Sequence, residues 1–165
     1  MTKYYGKYRG KVENNQDPKQ KGRVEVSVPA VYDDGTKNWA LPCVPYAGPD
    51  VGKSAIPPVG ANVWVEFEGG EADSPIWTGC FWDRGDAPAS PAVPLTKMLK
   101  TDGVTIEIDE TPGGGKLVIE VGPPVVSAPQ KITFGSSGIT IEHGKAKIAL
   151  TQASVSINDG ILEVV

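Results

Sequence analysis

From Gly103 to Val165, apolar and polar residues alternate in short runs. Val104, Ile106 and Ile108 point one way, and Thr105, Glu107 and Asp109 point the other. The same period recurs at Leu117, Ile119 and Val121, at Ile139 and Ile141, at Ile148 and Leu150, and at Val155 and Ile157. A period of two sends successive side chains to opposite faces of a strand, so each run predicts a β-strand with one face to bury. Gly and Pro fall between the runs, at Pro112 to Gly115, Gly122 to Pro124, Gly135 to Gly138, Gly144 and Gly160, which predicts tight turns. The bulky side chains are too few for a core of their own. The apolar face is therefore expected to be covered by other copies of the chain, and the tail is read as part of a homo-oligomeric β-rod.

The first half predicts strands at Gly6 to Asn14, Arg23 to Val28, Trp39 to Val44, Asn62 to Phe67 and Pro75 to Phe81, between loops rich in Pro, Gly, Asp and Asn. Val24, Val26 and Val28 alternate with Arg23, Glu25 and Ser27, while Val63, Val65 and Phe67 alternate with Trp64 and Glu66. Five such strands suggest a small barrel of the oligonucleotide/oligosaccharide-binding (OB) type. Trp39, Trp64, Trp77, Phe81 and Trp82 are a heavy aromatic load for so short a region, so some are expected inside the barrel and others in interfaces. The expected organisation is a barrel over residues 1–82, a linker or neck over 83–102 and a β-rod over 103–165. The best helical candidate is the brief stretch Leu95 to Lys100, and the fold class is all-β.

Composition supports this picture. The 20 Gly and 15 Pro favour turns over helices. A formal net charge of -4 gives no electrostatic footprint for a phosphate backbone, so nucleic acid is not expected as a partner. The early basic cluster of Lys3, Lys7, Arg9, Lys11, Lys19, Lys21 and Arg23 reads as a solvated face or a protein docking surface. Met1 to Gly10 is polar and aromatic, without the apolar region of a signal peptide, and no stretch is long enough to span a bilayer. Synthesis in the cytoplasm is expected. Cys43 and Cys80 lack metal or redox spacing and are expected to be buried free thiols.

Candidate chemistry is sparse. His143 is the single histidine, at a strand end before Gly144, with no second ligand at metal-binding spacing. Asp109 and Glu110 are adjacent, so a strand points them to opposite faces, which suits solvation better than acid–base partnership. Gly113-Gly114-Gly115-Lys116 lacks the spacing of a phosphate loop and reads as a hairpin turn. No nucleophile elbow accompanies His143. No catalytic residue, metal site or cofactor is expected, and the chain is not expected to be an enzyme.

The order of the motifs resembles the phage baseplate assembly protein V family and the related OB and rod regions of VgrG proteins, which form central spikes of contractile tails and type VI secretion machines. The residues that carry it are Gly22 to Pro29 (GRVEVSVP), Leu41 to Gly48 (LPCVPYAG), Pro57 to Gly70 (PPVGANVWVEFEGG), Pro75 to Trp82 (PIWTGCFW) and Thr101 to Gly113 (TDGVTIEIDETPG). The resemblance implies a homotrimer in which three barrels surround an axis and three tails form an intertwined β-helix or β-prism. It implies docking of the barrels on a baseplate hub protein and piercing of a target cell envelope, after assembly into a virion or contractile particle. Some relatives carry a lysozyme domain between barrel and rod, but Asp83 to Asp102 is too short for one. Others bind iron through paired histidines, which this chain lacks.

On this basis Ile106, Ile108, Ile119, Ile141, Ile148, Val155 and Ile157 are expected to form the trimer core, with Thr, Glu and Lys outward. The apolar end Ile161, Leu162, Val164 and Val165 is expected either to meet a PAAR-type tip protein or to close the last layer of the rod. Tyr4, Tyr5, Tyr8 and Arg9 are the candidate hub contact. Two rival classes are an OB module that binds single-stranded nucleic acid or sugar through Trp39, Trp64 and Trp82, and a peptidoglycan hydrolase. The kind of particle, whether phage, tailocin, extracellular injection system or secretion system, is not specified by the sequence.

Overall fold

The computed structural model describes residues 2–164, which fall into two compact units, one ending at Asp86 and the other beginning at Ala87. The first unit is a closed five-stranded barrel of β1 (Tyr8–Asn14), β2 (Val24–Ser27), β3 (Asn38–Pro42), β6 (Asn62–Phe67) and β7 (Pro75–Phe81), hydrogen-bonded in the order β1-β2-β3-β7-β6. All its neighbours are antiparallel except β3 and β7. Two short strands, β4 (Ala47–Gly48) and β5 (Val51–Gly52), make a separate hairpin in the loop that follows β3.

The valine alternation fills this barrel. Val12, Val24, Val26, Val28, Val63 and Val65 are fully buried, and Phe67 and Trp77 close the core. Gly10 on β1 leaves room that this packing uses: a Cβ there would lie 2.9 Å from Cγ2 of Val65 and 3.0 Å from the carbonyl oxygen of Ser27. The loop into β2 is held by Asp17. Its carboxylate accepts the backbone N–H groups of Lys19 (2.9 Å), Lys21 (2.7 Å) and Arg23 (3.3 Å), and the Arg23 guanidinium from Nη2 at 2.6 Å. The Arg23 hydrogen bond, with help from the backbone donors, holds the Asp17 carboxyl far below the usual carboxylate range.

The second unit is one eight-stranded antiparallel sheet whose spatial order follows the chain: β8 (Thr96–Lys100), β9 (Val104–Asp109), β10 (Lys116–Val121), β11 (Gln130–Gly135), β12 (Gly138–His143), β13 (Ala146–Leu150), β14 (Val155–Ile157) and β15 (Leu162–Val164). At a strand spacing of about 4.8 Å the meander is roughly 34 Å across. The Asp109 carboxylate caps the β9–β10 turn, accepting Thr111 N–H at 3.0 Å and Thr111 Oγ1–H at 2.6 Å. These bonds lower its pKa, and Glu110 pairs with Lys97, so both acids are held by local structure.

Two expectations are corrected. Leu95 to Lys100 is not a helix: Thr96–Lys100 is strand β8, because its backbone is recruited by β9 in antiparallel register from Thr96 opposite Asp109 to Lys100 opposite Thr105. Cys43 and Cys80 are free but exposed rather than buried, since one lies just past the end of β3 and the other near the end of β7. Among the described residues there is no α-helix, only the 3-10 turn Glu68–Gly70.

Candidate functional site: an uncovered apolar face

Register across the eight strands sorts the tail side chains into rows. One row runs Leu99, Ile106, Ile119, Ile132, Ile141, Ile148, Ile157 and Leu162, each opposite the next on the neighbouring strand. A parallel row runs Ile108, Leu117, Phe134, Ile139, Leu150, Val155 and Val164. Residues directly opposite on antiparallel strands share a face, as do residues two apart on one strand, so both rows lie on the same side of the sheet. Ile106, Ile119, Ile141, Ile148 and Ile157 occupy the first row, and Ile108 and Val155 the second. A third row starts apolar with Val104 and Val121 and turns polar at Gln130 and His143.

In the single chain nothing covers these rows. Ile141 is 43 % exposed and Phe134 41 %, although both stand within an apolar stripe, and Leu99 on the edge strand is 64 % exposed. Apolar surface of this extent and continuity marks an interaction site on a stable protein. The opposite face is polar, with Glu120, Lys131, Glu142 and Lys147 forming a cross-strand ladder of alternating charge. It adds ion pairs between Lys116 and Glu107 (3.3 Å) and between Lys147 and Asp159 (2.9 Å), the latter raising the Lys147 pKa. Val118 lies on this polar side yet is buried, at 5 % exposure, between Glu107 and Thr133. The face is thus sorted by chemistry: aliphatic on one side, solvated and charge-balanced on the other.

Ile132 and Phe134 belong to the apolar rows and were not among the candidate core residues. Their alternation with Lys131 and Thr133 is the signal that finds them. Leu162 and Val164 end the two rows on β15, Ile161 is exposed in the preceding turn, and Val165 lies outside the described residues. The hub candidates are divided by the fold. Tyr4 and Tyr8 pack on Phe67, with ring centroids 5.9 and 5.5 Å away, whereas Tyr5 is exposed and Arg9 lies over the rings of Trp64 (5.6 Å) and Phe81 (5.2 Å). Of the rival stacking platform, Trp39 lies under Arg23, Trp64 is stacked on Phe81 and Trp82 is exposed. His143 is exposed at the end of β12, and among the described residues no cluster of three or more His, Cys, Asp or Glu side chains is placed to hold a metal ion.

A closed OB barrel followed by a sheet with one uncovered apolar face defines a structural assembly protein with a self-associating tail. Comparison with family models agrees for both parts. Residues 8–82 match the type VI secretion system/phage-baseplate injector OB domain, and residues 97–163 match the phage baseplate V C-terminal trimerisation domain. The chain belongs to the phage baseplate assembly protein V family. No curated protein matches it. No helix among the described residues is long and apolar enough to cross a membrane.

Proposed function

We propose that the chain is the central spike of a contractile injection baseplate, a homotrimer whose tails form a rigid β-prism and whose barrels dock on a hub ring. The observation that carries this reading is the pair of apolar rows left uncovered along the tail, one across all eight strands and the other across seven. Three copies that turn these faces to a common axis exclude water from them, at roughly 25 cal/mol for each Å² of apolar surface removed. Because each strand pairs with its sequence neighbours within the chain, the meander fits a prism in which each copy supplies a wall.

The mechanism is mechanical. Backbone ladders run the length of the wall and the charged faces point outward, so force applied along the axis meets a stiff body whose surface stays solvated. The exposed end at Ile161, Leu162 and Val164 supports a cap by a PAAR-type tip protein, and the assembly would be driven through a target envelope on contraction. The test is the absolute mass of the purified chain by light scattering, before and after brief detergent and heat. A resistant species at three times 17.4 kDa is expected, and a folded monomer would remove the spike reading.

A further inference from the structure

We propose that the outer face of β2 and β3 is a binding site for an acidic oligosaccharide, a short sugar chain that carries a carboxylate or phosphate substituent. The site lies within the barrel and does not depend on the trimer.

In a five-stranded barrel of this type, extended ligands lie on the face of the second and third strands, between the first loop and the loop that joins the last two strands. A groove occupies that position here. Trp39 and Leu41 of β3 and Pro75 at the start of β7 line it, together with Lys19 and Lys21 from the β1–β2 loop and Glu68 and Asp73 from the β6–β7 loop. Its volume of about 240 Å³ is smaller than that of pockets enclosing a whole drug-sized molecule, so it suits part of a chain that passes across the barrel.

The groove is charged with both signs, yet these charges are unpaired. Lys19, Lys21, Glu68 and Asp73 are exposed, and among the described residues none of them makes an ion pair. Their neighbours are already engaged, Arg23 by Asp17 and Glu71 by Lys3. Asp17 also accepts the backbone N–H groups of Lys19 and Lys21, so the loop that presents the two lysines is fixed before a ligand arrives. Trp39 is half-buried, and the Arg23 guanidinium lies 5.1 Å from its ring centroid. Its indole N–H has no hydrogen-bond partner among the described residues, whereas that of Trp77 donates to the carbonyl oxygen of Gly22 at 3.3 Å.

An acidic sugar chain meets each of these groups. Its hydroxyls donate to the carboxylates, its C–H faces pack on the indole and Leu41, and its acidic substituent pairs with the lysines. Single-stranded nucleic acid fits less well, because two carboxylates repel its phosphates and Trp64 and Trp82 lie outside the groove. An extended peptide finds no strand edge to join, since β3 is paired by β2 on one side and β7 on the other.

The test applies the purified full chain to an array of acidic and neutral saccharides, with an oligothymidylate as control. A retained acidic tetrasaccharide and its neutral counterpart are then titrated by calorimetry. Lys19→Gln/Lys21→Gln is expected to lower the affinity for the acidic ligand about tenfold, to that of the neutral one, and to remove its salt dependence. Glu68→Ala/Asp73→Ala is expected to weaken both ligands about tenfold. The sign is diagnostic, because a surface that merely attracts anions would bind the acidic ligand more tightly once the carboxylates are gone. Tighter binding by that variant, an array that retains no acidic saccharide, or preferred retention of the oligothymidylate would each overturn the inference.

Discussion

Asp17 shows how a single carboxylate can hold a loop that has little else to fix it. Its carboxylate is spent on three backbone donors and one guanidinium, all between residues 17 and 23. Because its pKa in the folded chain is depressed, its contribution is fully present above the unfolded value of about 4 and is lost as pH falls through the folded one. The melting temperature of Asp17→Asn should lie below that of the native chain at neutral pH, and the gap should narrow on acidification below about pH 4. A pH series of thermal melts on both proteins checks this; a gap that stays constant into acid would show that Asp17 acts by shape and not by charge. Val65 tests the barrel interior. It is fully buried beside Gly10, and Val65→Ala removes two methyl groups that the rigid barrel cannot replace, with an expected cost of about 2 kcal/mol in urea denaturation.

At the scale of elements, register decides what each tail residue can do. Ile141 and Glu142 are adjacent in sequence, yet one lies in the apolar row and the other in the charge ladder. Ile141→Asp is expected to yield monomers by light scattering, because it would place one charge per copy in the covered face, while Glu142→Gln should remain trimeric. Trimers from both variants would reverse the assignment of inner and outer faces. Much of this was legible from the two-residue period, which locates β9, β10, β12, β13 and β14 because each carries bulky apolar residues at alternate positions. Strand β8 was not, since Leu95 to Lys100 has no clean alternation and owes its conformation to pairing with β9. The seating of Tyr4 and Tyr8 on Phe67 was likewise not legible, since it depends on the chain folding back against β6. The cysteines failed the opposite way, because an apolar neighbourhood in sequence does not bury a side chain at the margin of a strand: Cys43 lies just past β3 and Cys80 is the last but one residue of β7.

Across the whole molecule, two kinds of stability coexist. The barrel buries its core within one chain, but the tail is a single layer that keeps its apolar rows in water until other copies arrive. Thermal unfolding of the tail should therefore shift to higher temperature with protein concentration while that of the barrel core does not, by mass action on the trimer. Calorimetry over a hundredfold range of concentration distinguishes the two, and a tail transition independent of concentration would mean that its face is covered within one chain. The meander has one further consequence. Each hairpin repeats the same register, so adding another two strands of the same pattern would extend the sheet by about 9.6 Å without altering its cross-section. The tail is in this sense a molecular ruler, and its length is a quantity that selection can adjust one hairpin at a time.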